Sequence, residues 1–336
     1  VGVFIYGKDS MVTGNEALRI VDSYRESVED TSQIEALERE FPSYAESLGA
    51  GAVRLFRADL NKTGAFKWRG AIVGATALAE QGATHLIVPS AGNHARGAVW
   101  AASELGLAVT PVVPTTAPAQ KSEGLRELWD DPRLTIKVIG TSFNESLAWA
   151  EQQPYGKILH PFGELVIPGQ GTVADDILRQ HPNVQKIILA VGGGGLAAGI
   201  LRRLEELGRT DIQVIAAEAE GSNSARKSLA AGELRPADSP NLRYGGSAVK
   251  LMGRRALNIF ARSDNFHILP VPESDVNELI ELYRRDREIN QQDAWPNLEP
   301  TSLVAIAALR QQRQNESTVV VATGHNDALP TLALAS

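Results

Sequence analysis

The sequence predicts an α/β protein built on parallel-rich sheets. Three observations carry this. Runs of Val, Ile and Leu recur at strand length, each is followed by a stretch of helical periodicity, and several strand exits are rich in glycine. Strands buried on both faces read as near-continuous apolar runs, and a parallel pair needs a crossover long enough for a helix.

The alternation is clearest from about residue 72 onward. "HLIVPS" precedes "HARGAVWAASELGL", "AVTPVVP" precedes "APAQKSEGLRELWD", and "TIKVIG" precedes "SFNESLAWAEQQ". "KILHPF" precedes "GTVADDILRQH", "KIILAV" precedes "GLAAGILRRLEELG", and "QVIAAE" precedes "SNSARKSLAAG". Late in the chain come "NFHILPV", the helical "ESDVNELIELYRRDREI" and "TSLVAIAALRQQR", and a last strand "TVVVATG". Near the start, "TSQIEALEREFPSYAESLG" has a helical pattern with Thr31 or Ser32 as cap. The stretch "ELRPADSPNLRYGG" (233 to 246) is a loop by its Pro, Asp, Ser and Gly content, and a loop of that length is often functional.

Composition narrows the function. The 336 residues are 43% hydrophobic and 22% charged, an ordinary globular balance with a core that needs no staples. No cysteine is present, which excludes a disulfide framework, a thiolate metal site and a cysteine nucleophile, and fits the cytoplasm. A net charge of -7 without a basic stripe argues against nucleic acid and membrane as partners. "VGVFIYGKDS" lacks the order of a secretory signal, and "IILAVGGGGLAAGI" is too short and glycine-rich to span a bilayer.

In open α/β sheets, ligands bind beyond the carboxyl ends of strands. "VGGGGLAAG" (191 to 199) follows "KIILA" and opens a helix, which makes a phosphate cradle of free N–H groups or else a tight strand-to-helix turn. Gly192, Gly194 and Ala197 also fit a dinucleotide fingerprint, with Glu218 available to a ribose. "PSAGNHARG" (89 to 97) suits a carboxylate held by backbone N–H groups, or simple capping by Ser90 or Asn93. "GQGTV" (169 to 173) reads as a turn with Thr172 near a helix start. In "ATGHND", Thr323 offers a hydroxyl to a ring nitrogen or to a helix cap. Lys67, in "TGAFKWRGA", sits between Phe66 and Trp68 with Gly64 and Gly70 nearby. A solvated lysine needs no such company, whereas a desolvated one loses its proton more easily and becomes a nucleophile or base.

Taken in order, "TGAFKWRGA", "SAGNHARGA", "HPFGELVIPGQGT", "VGGGGL" and "LEPTSLVAIAAL" resemble the fold-type II pyridoxal-phosphate enzymes, and among them the serine/threonine dehydratases. The resemblance covers roughly residues 53 to 327. It implies pyridoxal 5'-phosphate as cofactor, bound to Lys67 as a Schiff base, with Lys67 later shuttling the Cα proton. Phe66 matches the aromatic beside the cofactor ring, and Asn93 the amide that bonds the pyridoxal 3-oxygen. Gly192, Gly193, Gly194, Gly195 and Leu196 match the phosphate cradle, and Thr323 the hydroxyl facing the pyridine nitrogen. A neutral hydroxyl there makes the ring a weaker electron sink, which suits elimination. Ser90, Ala91, Gly92, Asn93 and His94 match the loop around the substrate carboxylate. Gly246 and Glu299 match residues near the substrate.

Several positions depart from that pattern. Ala65 replaces a serine before Phe66-Lys67, Gly245-Gly246 replaces Asp-Gly, and "TGHN" replaces Ser-Gly-Gly-Asn, with a Thr-Gly-His more like threonine synthase. Ala91 stands where racemases of the family carry a serine, which weakens racemization. Glu218 matches one ligand of their metal site, but Ser224 occupies the place of the aspartate, so no metal is expected. No regulatory domain is expected after Ser336.

The expectation is a lyase that eliminates the β-group of a β-hydroxy or β-substituted amino acid, giving a 2-oxo acid and ammonia. A β-replacement synthase, a threonine-synthase-like enzyme, a nucleotide-binding protein and a non-catalytic amino-acid sensor are the alternatives. The implied fold has two lobes: 1–70 with 166–336 as the large cofactor-binding domain, and 71–165 as the small substrate domain. The family resemblance also implies a homodimer.

Overall fold

The computed structural model describes residues 12–49, 52–290, 297–312 and 316–329. Among the described residues ten strands form two sheets: β1 (Gln33–Ala36), β2 (Val53–Arg57), β3 (His85–Pro89), β4 (Ala108–Val113), β5 (Lys137–Val138), β6 (Lys157–Ile158), β7 (Lys186–Ala190), β8 (Gln213–Ala219), β9 (Phe266–Val271) and β10 (Thr318–Ala322). The larger sheet has the order β1-β2-β10-β7-β8-β9, and the smaller β5-β4-β3-β6. Every pairing is parallel except β1 with β2. All eight strands expected from the apolar runs are present, and helices separate them.

Each face of the larger sheet is apolar at its centre because β10, β7 and β8 have no polar alternation. One face sets Leu55, Ile188, Ile215 and Val320 against the helices Glu273–Asn290 and Pro300–Ala307. The other sets Phe56, Ile187, Val214 and Val321 against Ile167–Gln180 and Gly195–Glu206. The smaller sheet presents Leu86, Val88 and Val109 to the helices Trp68–Glu80 and Asn93–Leu105. The helix Gly14–Ser23, capped by Thr13, buries Ala17 and Val21 in this second core, so the first 70 residues are shared between the two cores.

Two local expectations need correction. Residues 31 to 49 are not one helix: β1 pairs Gln33 to Ala36 with β2, and Pro42 starts a separate helix, Pro42–Leu48, at a position where its missing N–H costs nothing. "GQGTV" is not a turn but the second turn of the helix Ile167–Gln180. Its glycines permit close helix packing, since a Cβ on Gly171 would stand 2.6 Å from the carbonyl oxygen of Gly199. The 233 to 246 loop ends in a short 3-10 turn, Leu242–Ser247.

The register of β2, β10 and β7 sets Leu55, Val320 and Ile188 side by side. Their carboxyl ends therefore open together, β2 toward Lys67, β10 onto Thr323 and β7 onto the four glycines. From the smaller sheet, β3 runs into Ser90.

Candidate active site

Lys67 lies at the N-cap of the helix Trp68–Glu80. The loop before it is clipped to the end of β10. The Phe66 N–H donates to Thr323 O at 3.1 Å, and the His325 N–H to Gly64 O at 3.0 Å. Gly64 needs its freedom twice: its φ is +72°, and a Cβ would run into the side chain of Asn326. Beyond Lys67, Trp68 stacks edge-on against Trp100 with 5.6 Å between ring centroids. Arg69 is fully buried and paired with Asp30 at 3.0 Å and Asp176 at 2.6 Å. The company of Lys67 in the sequence is thus an anchor on both sides.

The Lys67 amine stands 4.8 Å from the centroid of the Phe66 ring, and Phe66 itself is packed into the larger sheet's core. No hydrogen bond to that amine is present among the described residues. Burial depresses its pKa to about 8, against the opposing pull of the Glu299 carboxylate.

Glu299 precedes the helix Pro300–Ala307 and is buried. Its two oxygens accept from the Asn93 side-chain amide at 3.0 and 2.9 Å, and its N–H donates to Gly324 O at 2.9 Å. Burial pushes its carboxyl up to about 7; the Asn93 bond works downward, and Asp327 and Asp59 work upward. Thr323 is buried beside it, with Oγ1 3.5 Å from Glu299 Oε1 and 3.3 Å from Ser302 Oγ. Ser302 Oγ also accepts the N–H groups of Thr323 and Gly324, at 2.9 and 3.3 Å.

The four glycines turn from β7 into the helix Gly195–Glu206, with Gly194 as N-cap at φ +85°. A Cβ on Gly192 would stand 2.5 Å from Gly246 O, and one on Gly193 would stand 2.5 Å from the Phe162 ring. Only backbone fits, and the first-turn N–H groups have no helical acceptor of their own. Leu196 turns its side chain into the core, so it can serve the loop only through its backbone.

Ser90, Ala91, Gly92 and Asn93 are half-buried between β3 and the helix Asn93–Leu105. His94 departs from them. Its ring is buried in the core, where Nε2 donates to Leu159 O at 2.8 Å, and burial holds its pKa down to about 3. Its imidazole is therefore neutral and turned away, leaving its backbone for the loop. Glu218 also lies apart: its carboxylate accepts from the N–H groups of Ala225 at 2.6 Å and Arg226 at 3.2 Å, opening the helix Ser224–Ala231. It is committed to that helix rather than to a ribose.

Sequence patterns did not single out Asn326, Ser302 or Phe162. Asn326 was visible only as the end of "TGHN", and Ser302 as one serine in "EPTSL". Their contacts join elements far apart in the chain.

The donor set fits pyridoxal phosphate: a desolvated amine on an aromatic face, a glycine turn with no room for a side chain at 192 or 193, and a buried neutral hydroxyl. Fold and site together define an enzyme that works through a carbonyl cofactor on a two-sheet α/β frame. The chain belongs to the family described as pyridoxal-phosphate dependent enzyme, whose model matches residues 17–324. It is therefore pyridoxal-phosphate dependent. It is 32% identical over 289 residues to the biosynthetic L-threonine dehydratase of Burkholderia multivorans, covering 82% of this chain and 54% of that relative's length. It is 32% identical over 257 residues to the human L-serine dehydratase/L-threonine deaminase, covering 74% of each chain. Its structure is similar to the processed form of threonine deaminase isoform 2 from Solanum lycopersicum, with a TM-score of 0.79, 25% identity and coverage of 97% and 90% of the two chains. No described helix is long and apolar enough to cross a membrane.

Proposed function

We propose that the chain catalyses β-elimination from a small β-hydroxy amino acid, releasing a 2-oxo acid and ammonia. The observation that carries this is the desolvated Lys67 amine, poised near neutrality in a site whose other polar end is the neutral hydroxyl of Thr323. The names of the relatives, threonine and serine dehydratases among them, support the same reaction.

When bound, pyridoxal phosphate supplies the electron sink that makes a Cα proton removable. Lys67 would hold it through Nζ and would accept the Cα proton at that atom. The backbone of Gly192 to Leu196 binds the phosphate, and that of Ser90 to His94 the substrate carboxylate. Phe66 would support the ring, and Thr323, held against Ser302 Oγ, would offer its hydroxyl to the pyridine nitrogen. Asn93, Glu299 and Gly246 would face the substrate. The β-hydroxyl leaves as water, and a second water supplies the carbonyl oxygen as ammonia departs. Net water is neither consumed nor made.

We further place the working molecule in the cytoplasm as a homodimer. Its large domain is 1–70 with 166–336 and its small domain 71–165. The test is a panel of serine, threonine and β-substituted amino acids, with 2-oxo acid and ammonia both measured. Equal amounts of the two, abolished in Lys67→Ala, are expected. Unchanged turnover in Lys67→Ala, or a new amino acid in place of the 2-oxo acid, would overturn the reading.

A further inference from the structure

The geometry points to Asn326 as a positioning residue that fixes which end of the Asn93 amide faces Glu299. The argument begins with two groups that cannot donate. Thr63 O is a backbone carbonyl, and the ionised Glu299 carboxylate only accepts. Asn326 Nδ2 donates to Thr63 O at 2.9 Å and to Asn93 Oδ1 at 2.8 Å. The other end of Asn93 is then its NH2 group, which donates to both Glu299 oxygens at 3.0 and 2.9 Å. The direction of the chain is determined at both ends.

The alternative orientation is excluded by Asn326. If Asn93 turned over, its NH2 would face the NH2 of Asn326, and Glu299 would lose its donor. Such a flip costs little for an isolated amide, whose two ends are nearly the same shape. A protonated Glu299 would even favour it, because its hydroxyl would then donate to the amide oxygen. Asn326 therefore keeps Asn93 donating while Glu299 changes its proton. The residue is built in: Gly64 leaves the space its side chain fills, and Asn326 follows His325, whose N–H is bonded to Gly64 O at 3.0 Å.

This inference rests on the placement of Asn93 and Glu299 in the catalytic site. Its test reads neither product nor rate. The full-length protein, reconstituted with pyridoxal phosphate, is labelled with 13C at its glutamate carboxyls and titrated by NMR, and Glu299→Gln assigns the signal. Around Glu299 the charged groups are Lys67, Asp59, Asp327 and Lys121, and no variant used here changes them. The wild-type midpoint is the reference, for a carboxyl that burial raises above its ordinary range. In Asn326→Leu it should rise by about one pH unit, because a turned-over Asn93 can then accept a hydrogen bond from protonated Glu299. In an Asn93→Leu background the same change at 326 should produce no further shift. Asn326→Ser, too short to reach both acceptors, carries the test if the leucine variant does not fold. An unmoved midpoint overturns the inference, and so does a shift that persists in full without Asn93. Failure to make 2-oxo acid alongside a coupled shift would overturn the proposed reaction and leave this relay standing.

Discussion

The Asn93 amide reaches Glu299 from the smaller sheet's side of the site and donates to both of its carboxylate oxygens. One hydrogen-bonded pair thus joins the exit of β3 to the residue that precedes the helix Pro300–Ala307. It also leaves a buried carboxyl whose charge is only partly compensated, and that has a measurable consequence.

Burial raises the folded-state pKa of Glu299 from its ordinary 4.5 to about 7. A raised carboxyl binds its proton more tightly in the folded state. Its stabilising contribution is therefore whole below about pH 4.5 and is lost as pH rises to about 7. Glu299→Gln, which stays neutral, should gain thermal stability over the wild type between pH 5 and pH 7.5, on the order of 3 kcal/mol by the size of the shift. Glu218 titrates over the same range in both proteins and cancels. Melting curves of the cofactor-free proteins at the two pH values test this, and a difference that does not change with pH would refute it.

Gly193→Ala should weaken pyridoxal-phosphate binding about tenfold or more, the cost of overpacking a tight site. The added methyl meets the Phe162 ring. Adding Phe162→Ala to the same protein should restore part of the affinity. Fluorescence titration with the cofactor measures both, and wild-type affinity in the single variant would show that the loop has room to spare.

Gly199→Ala should lower the melting temperature, by the equivalent of about 1–3 kcal/mol. The new Cβ would stand 2.6 Å from Gly171 N and from Ile167 O, both backbone atoms of the neighbouring helix. A melting temperature equal to wild type would mean that these helices do not need their glycine contact.

Chelation of divalent metal should leave turnover and melting temperature unchanged. Glu218 is occupied by two backbone N–H groups, and the Ser224 hydroxyl donates to Arg235 O at 2.7 Å. Loss of activity in the chelator, restored by one added metal, would show that these groups can be recruited as ligands.

The fold was most legible where strands are buried on both faces. "KIILA" and "TVVVA" have no other reading than a central strand. The two arginines of "VRLFR" hid β2. Arg57 is fully buried there and satisfied by Asp59 at 2.8 Å and Glu40 at 2.9 Å, partners that periodicity cannot reveal. β1 was hidden because its four residues run straight into the helix Leu37–Glu40, so the whole stretch keeps a helical spacing. "GQGTV" misled because glycine marks close approach as well as turns. In the site, Lys67, Asn93 and the glycine loop stood out as motifs, and Glu299 only through the family resemblance. The ring of His94 belonged to the core instead, and Asn326 gains its meaning only from contacts with Thr63 and Asn93.

The central claim is that Lys67 carries the cofactor and works on an amino acid. The most direct test is the visible absorption spectrum of the protein after addition of pyridoxal phosphate, recorded while serine and then threonine are added. The prediction is a band of lysine-bound cofactor that moves on adding one of these amino acids and is missing in Lys67→Ala. A wild type without such a band, or a Lys67→Ala variant that keeps it, would contradict the account.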